Sequence, residues 1–360
     1  MSKLKDKQKE FRTLFGLSRD AILSIYAGRI FFSNAAAVKM FGFDPTDSEA
    51  SSILPSYIFE HNPEQLVCSA VVTGRSVSVS VTRSEDYLLI SIPVEEAATY
   101  TGIPQSVLSE LRTATYNLKM AADQILARLN PEADPKLETY ASILYHNYYS
   151  MLRLTGNIGS VSLLMDDALP LVKAPTDLGI LCSQLISSIQ YMVAGRDVDL
   201  HFSCATENMT ASLDRDRIEQ LLLNLLANSL QHTPAGGRIT VTLGRSGDRL
   251  ILSVDDSGSG MPQEQLIHAF SGWGVTTPYT MSSTGVGLFI ARGIARLHGG
   301  ALIITSREGE GTSVRILLPA DDSFPAVLRD AEQQAGGMHN LLTEFAPVLG
   351  HTAYTQKHLD

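Results

Sequence analysis

Residues 214–232 read Asp-Arg-Asp-Arg-Ile-Glu-Gln-Leu-Leu-Leu-Asn-Leu-Leu-Ala-Asn-Ser-Leu-Gln-His. On a helix, Asn224 and Asn228 stand one above the other on a single face. Two carboxamides on an otherwise apolar helix need polar company, because a buried amide without a partner is costly. Three glycine-rich segments further along could provide it. They are Asp256-Ser257-Gly258-Ser259-Gly260-Met261, Thr284-Gly285-Val286-Gly287-Leu288 and Gly309-Glu310-Gly311-Thr312.

A paired-asparagine helix followed by these motifs in this order resembles the ATP-binding domain of sensor histidine kinases. The matching residues run from about 214 to 319. The resemblance implies ATP and Mg²⁺ as cofactors and gives the motif residues their roles. Asp256 matches the carboxylate that accepts a hydrogen bond from the adenine amino group, and Thr312 joins it around the base. Gly258 and Gly260 let the backbone approach the purine. Asn228 matches the Mg²⁺-binding asparagine, a neutral oxygen ligand suited to a hard cation beside phosphates. Asn224 lies one turn earlier, where hydrolysing ATPases of the wider superfamily carry a glutamate. An amide is no base, so rapid ATP hydrolysis is not expected. Gly285 and Gly287 open a helix whose free N–H groups and dipole can face phosphates. The chain departs from the family at Gln231 and His232, where Lys and Tyr are common. The presumed lid over 270–283 is short and carries the only tryptophan, Trp273.

The chain has 360 residues, of which 44% are hydrophobic and 18% charged, enough for two or three domains with their own cores. Its formal net charge of −10 argues against nonspecific nucleic-acid binding. No apolar run approaches a membrane span, and the Lys-rich residues 1–10 do not read as a signal peptide. A soluble cytoplasmic protein is expected. Cys68, Cys182 and Cys204 have no metal spacing and read as reduced core thiols.

The expected fold class is α+β multidomain: a PAS-like α/β sensor unit, a dimerising two-helix hairpin and an α/β-sandwich ATP-binding domain. Residues 1–14 read as a leader. In 15–95, a hairpin about Ala27-Gly28, a short helix over 34–41 ended by Gly42, and later strands over 76–82 and 87–92 resemble a PAS sensor domain. Such a domain would take an unknown ligand or signal. A linker follows at 95–101. In 102–167, Val107, Leu111, Leu118 and Ile125, then Leu144, Met151, Leu154 and Ile158, mark two amphipathic helices. One hairpin cannot enclose a core, so a homodimeric four-helix bundle is the natural solution. Residues 174–320 form the ATP-binding domain, and 321–360 a C-terminal tail.

The segment Leu108-Ser109-Glu110-Leu111-Arg112-Thr113-Ala114 matches the family's phosphoacceptor motif, usually His-Glu-Leu-Arg-Thr-Pro. Ser109 takes the histidine's place. A serine hydroxyl is a weak nucleophile without an adjacent base, and its phosphate ester is a poor relay donor. Glu110 remains, and so does Thr113, where the family orients water against a response regulator's phospho-aspartate. His146 reads as a bundle-surface residue. The resemblance thus implies a Mg-ATP-binding sensor-kinase relative, degenerate in autophosphorylation. It would act on a response regulator receiver domain or a partner histidine kinase. The competing readings are an active kinase using Ser109 or another acceptor, and a noncatalytic module that ATP and ligand only reshape.

Overall fold

The computed structural model describes residues 2–16, 18, 20–60, 65–73, 75–83, 87–92, 105–129, 135–205, 209–262, 265–266, 284–320, 337–349 and 351–354. The expected linker at 95–101, His61, Trp273 and the lid at 270–283 lie outside them.

The N-terminal unit begins with helix α1 (Ser2–Phe15). The first residues are therefore more than a leader. Phe11 is buried among Phe15, Phe31, Phe32 and Tyr87, which gives α1 a docking site. Strands β1 (Ala21–Tyr26) and β2 (Arg29–Ser33) form a hairpin. Ala27 and Gly28 both have positive φ, 48° and 78°, as a type I′ turn requires. Helix α2 (Ala35–Phe41) starts at Asn34 and ends at Gly42, whose φ is 77°. A short helix α3 (Tyr57–Glu60) leads to β3 (Gln65–Val72), β4 (Arg75–Arg83) and β5 (Leu88–Ile92). The strands run in the order β2-β1-β5-β4-β3, all antiparallel.

The helices α4 (Gln105–Leu129) and α5 (Pro135–Met165) form the expected hairpin. Leu108, Thr115, Ala122 and Leu126 are the buried positions of α4. Contrary to expectation, α5 does not lack a partner within the chain. Its Tyr145, Tyr149, Leu152, Val161 and Leu164 belong to the same core as the following domain.

That domain contains β6 (Ala174–Asp177), α6 (Leu178–Met192), β7 (Val198–Cys204), β8 (Thr210–Leu213), α7 (Arg215–His232), β9 (Gly237–Ser246) and β10 (Arg249–Asp256). It continues with α8 (Thr284–Leu297), β11 (Ala301–Arg307) and β12 (Gly311–Pro319). The sheet order is β11-β12-β10-β9-β7, with β7 parallel to β9 and the rest antiparallel. Alternation decides its two faces. Leu302, Ile304, Val314 and Ile316 face the helices, whereas Ala301, Ile303 and Leu317 join the core of the N-terminal unit. The two sheets are continuous, because β3 pairs with β11 through Cys68↔Ile303 and Val67↔Ile304. Cys68 and Cys182 are buried as expected, but Cys204 is exposed and is not a core thiol. The C-terminal residues include helix α9 (Gly337–Glu344) and a 3-10 turn, His351–Tyr354.

Asn34 ties the N-terminal unit together. Its Oδ1 accepts from Ile22 N and Ala37 N, and its Nδ2 donates to Asp20 O at 2.8 Å, with Phe15 O and Ser18 O close by. Replacing it with alanine leaves these buried groups unpaired and removes the α2 cap. We expect Asn34→Ala to destabilise this unit by about 2–4 kcal/mol, read as an earlier urea transition of the full chain. An unshifted transition would show that the network is dispensable.

Candidate nucleotide site

Helix α7 starts at Asp214, whose Oδ1 accepts from Arg217 N at 3.1 Å while Oδ2 accepts from Val172 N at 2.7 Å. The backbone N–H of Asp214 donates to Nε2 of the buried His298, 3.0 Å away, and the His298 Nδ1–H donates to Ile294 O. Burial pulls the His298 pKa down, so the ring stays neutral and serves as a lock between α7 and α8. This lock was not legible beforehand, since it joins residues 84 apart in sequence.

Asn224 is fully buried and Asn228 half-buried. Asn224 Nδ2 donates to Gln220 O at 2.9 Å. Among the described residues, its Oδ1 has no hydrogen-bond partner, and neither does Nδ2 of Asn228. Both atoms face Gly287 of α8. A Cβ at that position would lie 3.0 Å from Asn224 Oδ1 and 3.2 Å from Asn228 Nδ2. Gly287 thus packs directly against both carboxamides, leaving no ordinary space for a side chain at 287. Gly285 lies in the first turn of α8.

Asp256 and Thr312 are direct partners across the β10–β12 ladder. Asp256 Oδ1 accepts from Gly258 N at 3.0 Å and Thr312 N at 3.2 Å, and Oδ2 accepts from Ser229 Oγ at 3.0 Å. Thr312 Oγ1 lies 2.9 Å from Ser306 Oγ. Burial pushes the Asp256 pKa up, against the three hydrogen bonds that pull it down. Each carboxylate oxygen has two lone-pair directions, so Oδ2 keeps accepting capacity beyond Ser229.

The glycines of this loop serve the chain's own packing. A Cβ on Gly258 would meet Asp256 Oδ1 and His232 O, both at 2.8 Å. Gly260, at φ 63°, would collide with the Arg307 carbonyl. His232 O also accepts from Ser259 N, so the end of α7 supports the loop.

Ser109, Glu110 and Thr113 stand elsewhere, exposed on α4. Thr113 Oγ1 donates to Ser109 O at 2.9 Å, so it is tied to its own helix. His146 is not a free surface residue, because its Nε2 donates to Ala346 O at 2.9 Å. Among the described residues no helix is long and apolar enough to cross a membrane. No cluster of His, Cys, Asp and Glu there could hold a metal ion.

A two-layer sheet and helix domain with paired asparagines opposite an Asp–Thr strand pair defines an ATPase-like nucleotide domain. The family described as histidine kinase-, DNA gyrase B- and HSP90-like ATPase matches residues 213–322. Curated relatives include the alginate biosynthesis sensor protein KinB of Pseudomonas aeruginosa, 29% identical over 58% of this chain and 35% of its own length. The adaptive-response sensory kinase SasA of Parasynechococcus marenigrum is 35% identical over 40% of this chain and 38% of its own. The histidine protein kinase DivJ of Caulobacter vibrioides is 27% identical over 71% and 43%. Among solved structures, the catalytic domain of histidine kinase ThkA is 27% identical, covers 41% of this chain and 96% of its own, and has a TM-score of 0.36. This chain spans well under half the length of these three curated relatives. Residues 213–322 are a GHKL-type ATPase domain, and the chain is related to the sensor histidine kinases of two-component systems.

A raised pKa means that folding favours the protonated acid at Asp256. That share of stability is present at acid pH and is lost as the pH rises through the folded value. We expect Asp256→Asn to match or exceed the wild type in thermal midpoint at about pH 7.5, with the difference closing near about pH 4. A clear loss of stability at the higher pH would show that the fold requires the ionised carboxylate.

Proposed function

We propose that the chain binds Mg-ATP and works in two-component signalling as a sensor-kinase relative that forms no phosphohistidine at its acceptor position. The observation that supports this best is the pair of asparagines packed against Gly287, with two buried carboxamide atoms unpartnered among the described residues. Asn228 would hold Mg²⁺ beside the phosphates, since a half-turn of its amide presents the oxygen. Asp256, with Thr312, would accept from the adenine amino group. Asn224 orients and solvates but supplies no base. The first turn of α8, with Gly285 and Gly287, offers backbone N–H groups to an anion. When bound, ATP supplies an activated phosphoryl group.

Its destination separates this reading from a working kinase. Ser109 is exposed and has only the neighbouring Glu110 on α4 as a nearby carboxylate in sequence. Without a base held against it, the hydroxyl stays weakly nucleophilic. The action we infer is on a response regulator or a partner kinase, with Thr113 exposed on the helix face such a partner would meet. Residues 15–95 are inferred to be a PAS-like unit. The strand order β2-β1-β5-β4-β3 and the hairpin about Ala27 support this.

The α4–α5 hairpin keeps a second apolar seam. On α4, Val107, Leu111, Leu118 and Ile125 are exposed, and on α5 so are Tyr140, Leu144, Met151 and Leu154. Their spacings of three, four and seven residues are those of a helical bundle. A homodimer through residues 102–167 would cover this seam.

Isothermal calorimetry of the full chain should detect Mg-ATP binding, and Asp256→Asn should weaken it roughly 10–100-fold. No wild-type affinity, or none lost in the variant, would count against the site. With γ-labelled ATP, the wild type should form no acid-labile phosphate. Ser109→His tests whether that one residue is the whole defect, by gain of an acid-labile label. An acid-labile label on the wild type would mean the acceptor lies elsewhere.

Leu118 is 63% exposed at the middle of the seam. Light scattering should give a dimer at micromolar concentration, and Leu118→Glu should shift it to monomer with helicity retained. A wild-type monomer with folded helices would refute the bundle.

A further inference from the structure

The hairpin and the ATPase domain are joined in sequence through residues 166–173, and near that joint Val161, Leu164 and Leu169 pack into the ATPase domain's core. Leu164 packs on Gly293 of α8, Asp167 pairs with Arg296, and Val172 N donates to Asp214. Ser160 Oγ accepts from Gln220 of α7 at 3.1 Å. Contacts clustered at a joint leave rotation about it free, as at any hinge.

A second attachment lies well away from this joint. Residues 337–354 sit against α5 on one side and against α6 and α7 on the other. Leu341, Leu342, Phe345, Ala346, Val348 and Tyr354 are buried in the core shared by both units. Toward the ATPase domain, Asn340 Nδ2 donates to Glu219 of α7 at 3.2 Å. Toward α5, Ala346 O accepts from His146, and the Tyr354 ring meets His146 edge-on and Tyr149 at a tilt, each with centroids 5.3 Å apart. Arg153 of α5 pairs with Glu344 at 3.4 Å. At 1.5 Å per residue, Arg153 and His146 are roughly 20–30 Å along the helix from residue 166. Holding a rod at its hinge and again at that distance removes the rotation.

We propose that residues 337–354 are a detachable intramolecular clasp that locks the second hairpin helix to the ATPase domain. While closed, it fixes the distance between the nucleotide site and α4 and so restrains any transfer or partner contact there. That consequence rests on the nucleotide reading above, but the clasp itself does not. The family match ends at residue 322, ahead of this segment. The clasp is also held by a pair suited to release. Burial pushes the Glu344 carboxyl up to about 7 even with Arg153 beside it. The pair therefore recovers only part of what desolvation costs, and it specifies position more than strength.

The test uses the full chain carrying Glu344→Lys, which sets a cation against Arg153, and the charge swap Arg153→Glu with Glu344→Lys. Hydrogen exchange of residues 166–173 and 337–354 is read with small-angle scattering and Mg-ATP titration. In Glu344→Lys we expect exchange in both segments to rise at least about tenfold and the radius of gyration to grow. ATP affinity should stay within about threefold, and the swap should restore the wild-type pattern. The clasp is overturned if 337–354 exchanges in the wild type like an unfolded peptide. It is overturned equally if its release leaves 166–173 and the radius unchanged. Loss of the ATPase fold with Glu344→Lys, seen as global exchange, would make the segment part of that domain's core and likewise overturn it. A chain that never binds ATP fails the nucleotide reading alone, because exchange and scattering still report the clasp.

Discussion

Helix α7 is buried on almost every side and yet carries two carboxamides, and much of the molecule is arranged around that conflict. Its leucines satisfy the core of the sheet and of α8 without assistance. The asparagines cannot be satisfied by apolar neighbours, and a buried amide without a partner costs too much to be incidental. Gly287 lies directly against both of them, because α8 can approach this closely only without a Cβ. The unpartnered atoms are thus the structural counterpart of the ATPase family match.

The close approach of α7 and α8 is held from outside. His298 holds it at one end, bridging the start of α7 to the end of α8 as a neutral ring. At the other end, the Asp256 carboxylate spans the glycine loop, the β12 strand and Ser229 of α7. These contacts are polar and directional, so they fix geometry where packing alone would let the elements slide. The glycines at 258 and 260 follow from the same tightness, since the loop lies directly against backbone carbonyls of its own chain.

Around this domain the chain adds restraints on both sides. The N-terminal unit extends the sheet at β11 and covers its outer face through Ala301, Ile303 and Leu317. The C-terminal residues tie α5 to α6 and α7. The ATPase domain is thereby held between the N-terminal unit and α5, and a change at either surface meets it through packed contacts.

The sequence alone determined the elements with strong local signals. The short helix read over 34–41 and the paired-asparagine helix read over 214–232 lie within a residue of α2 and α7. Asn34, Asp177 and Asp214 each accept the backbone hydrogen bond their residue type predicts. The ordered motifs brought Asn224, Asn228, Asp256, Gly287 and Thr312 into view together, because each motif sits at the end of an element whose type was readable. The acceptor motif at Ser109 was equally plain, being contiguous. What sequence could not show was whatever depends on distant partners. Strand β3 has no alternation that separates it from a buried helix segment, and it is a strand because β4 and β11 flank it. Helix α1 is held by an aromatic cluster drawn from residues far along the chain. His146 reads as a surface residue until the fold brings Ala346 beside it, and nothing local links His298 to Asp214 or Glu344 to Arg153. Local propensity acts over a few residues and is written in the chain. Burial and charge pairing act through space, so only the tertiary structure decided them.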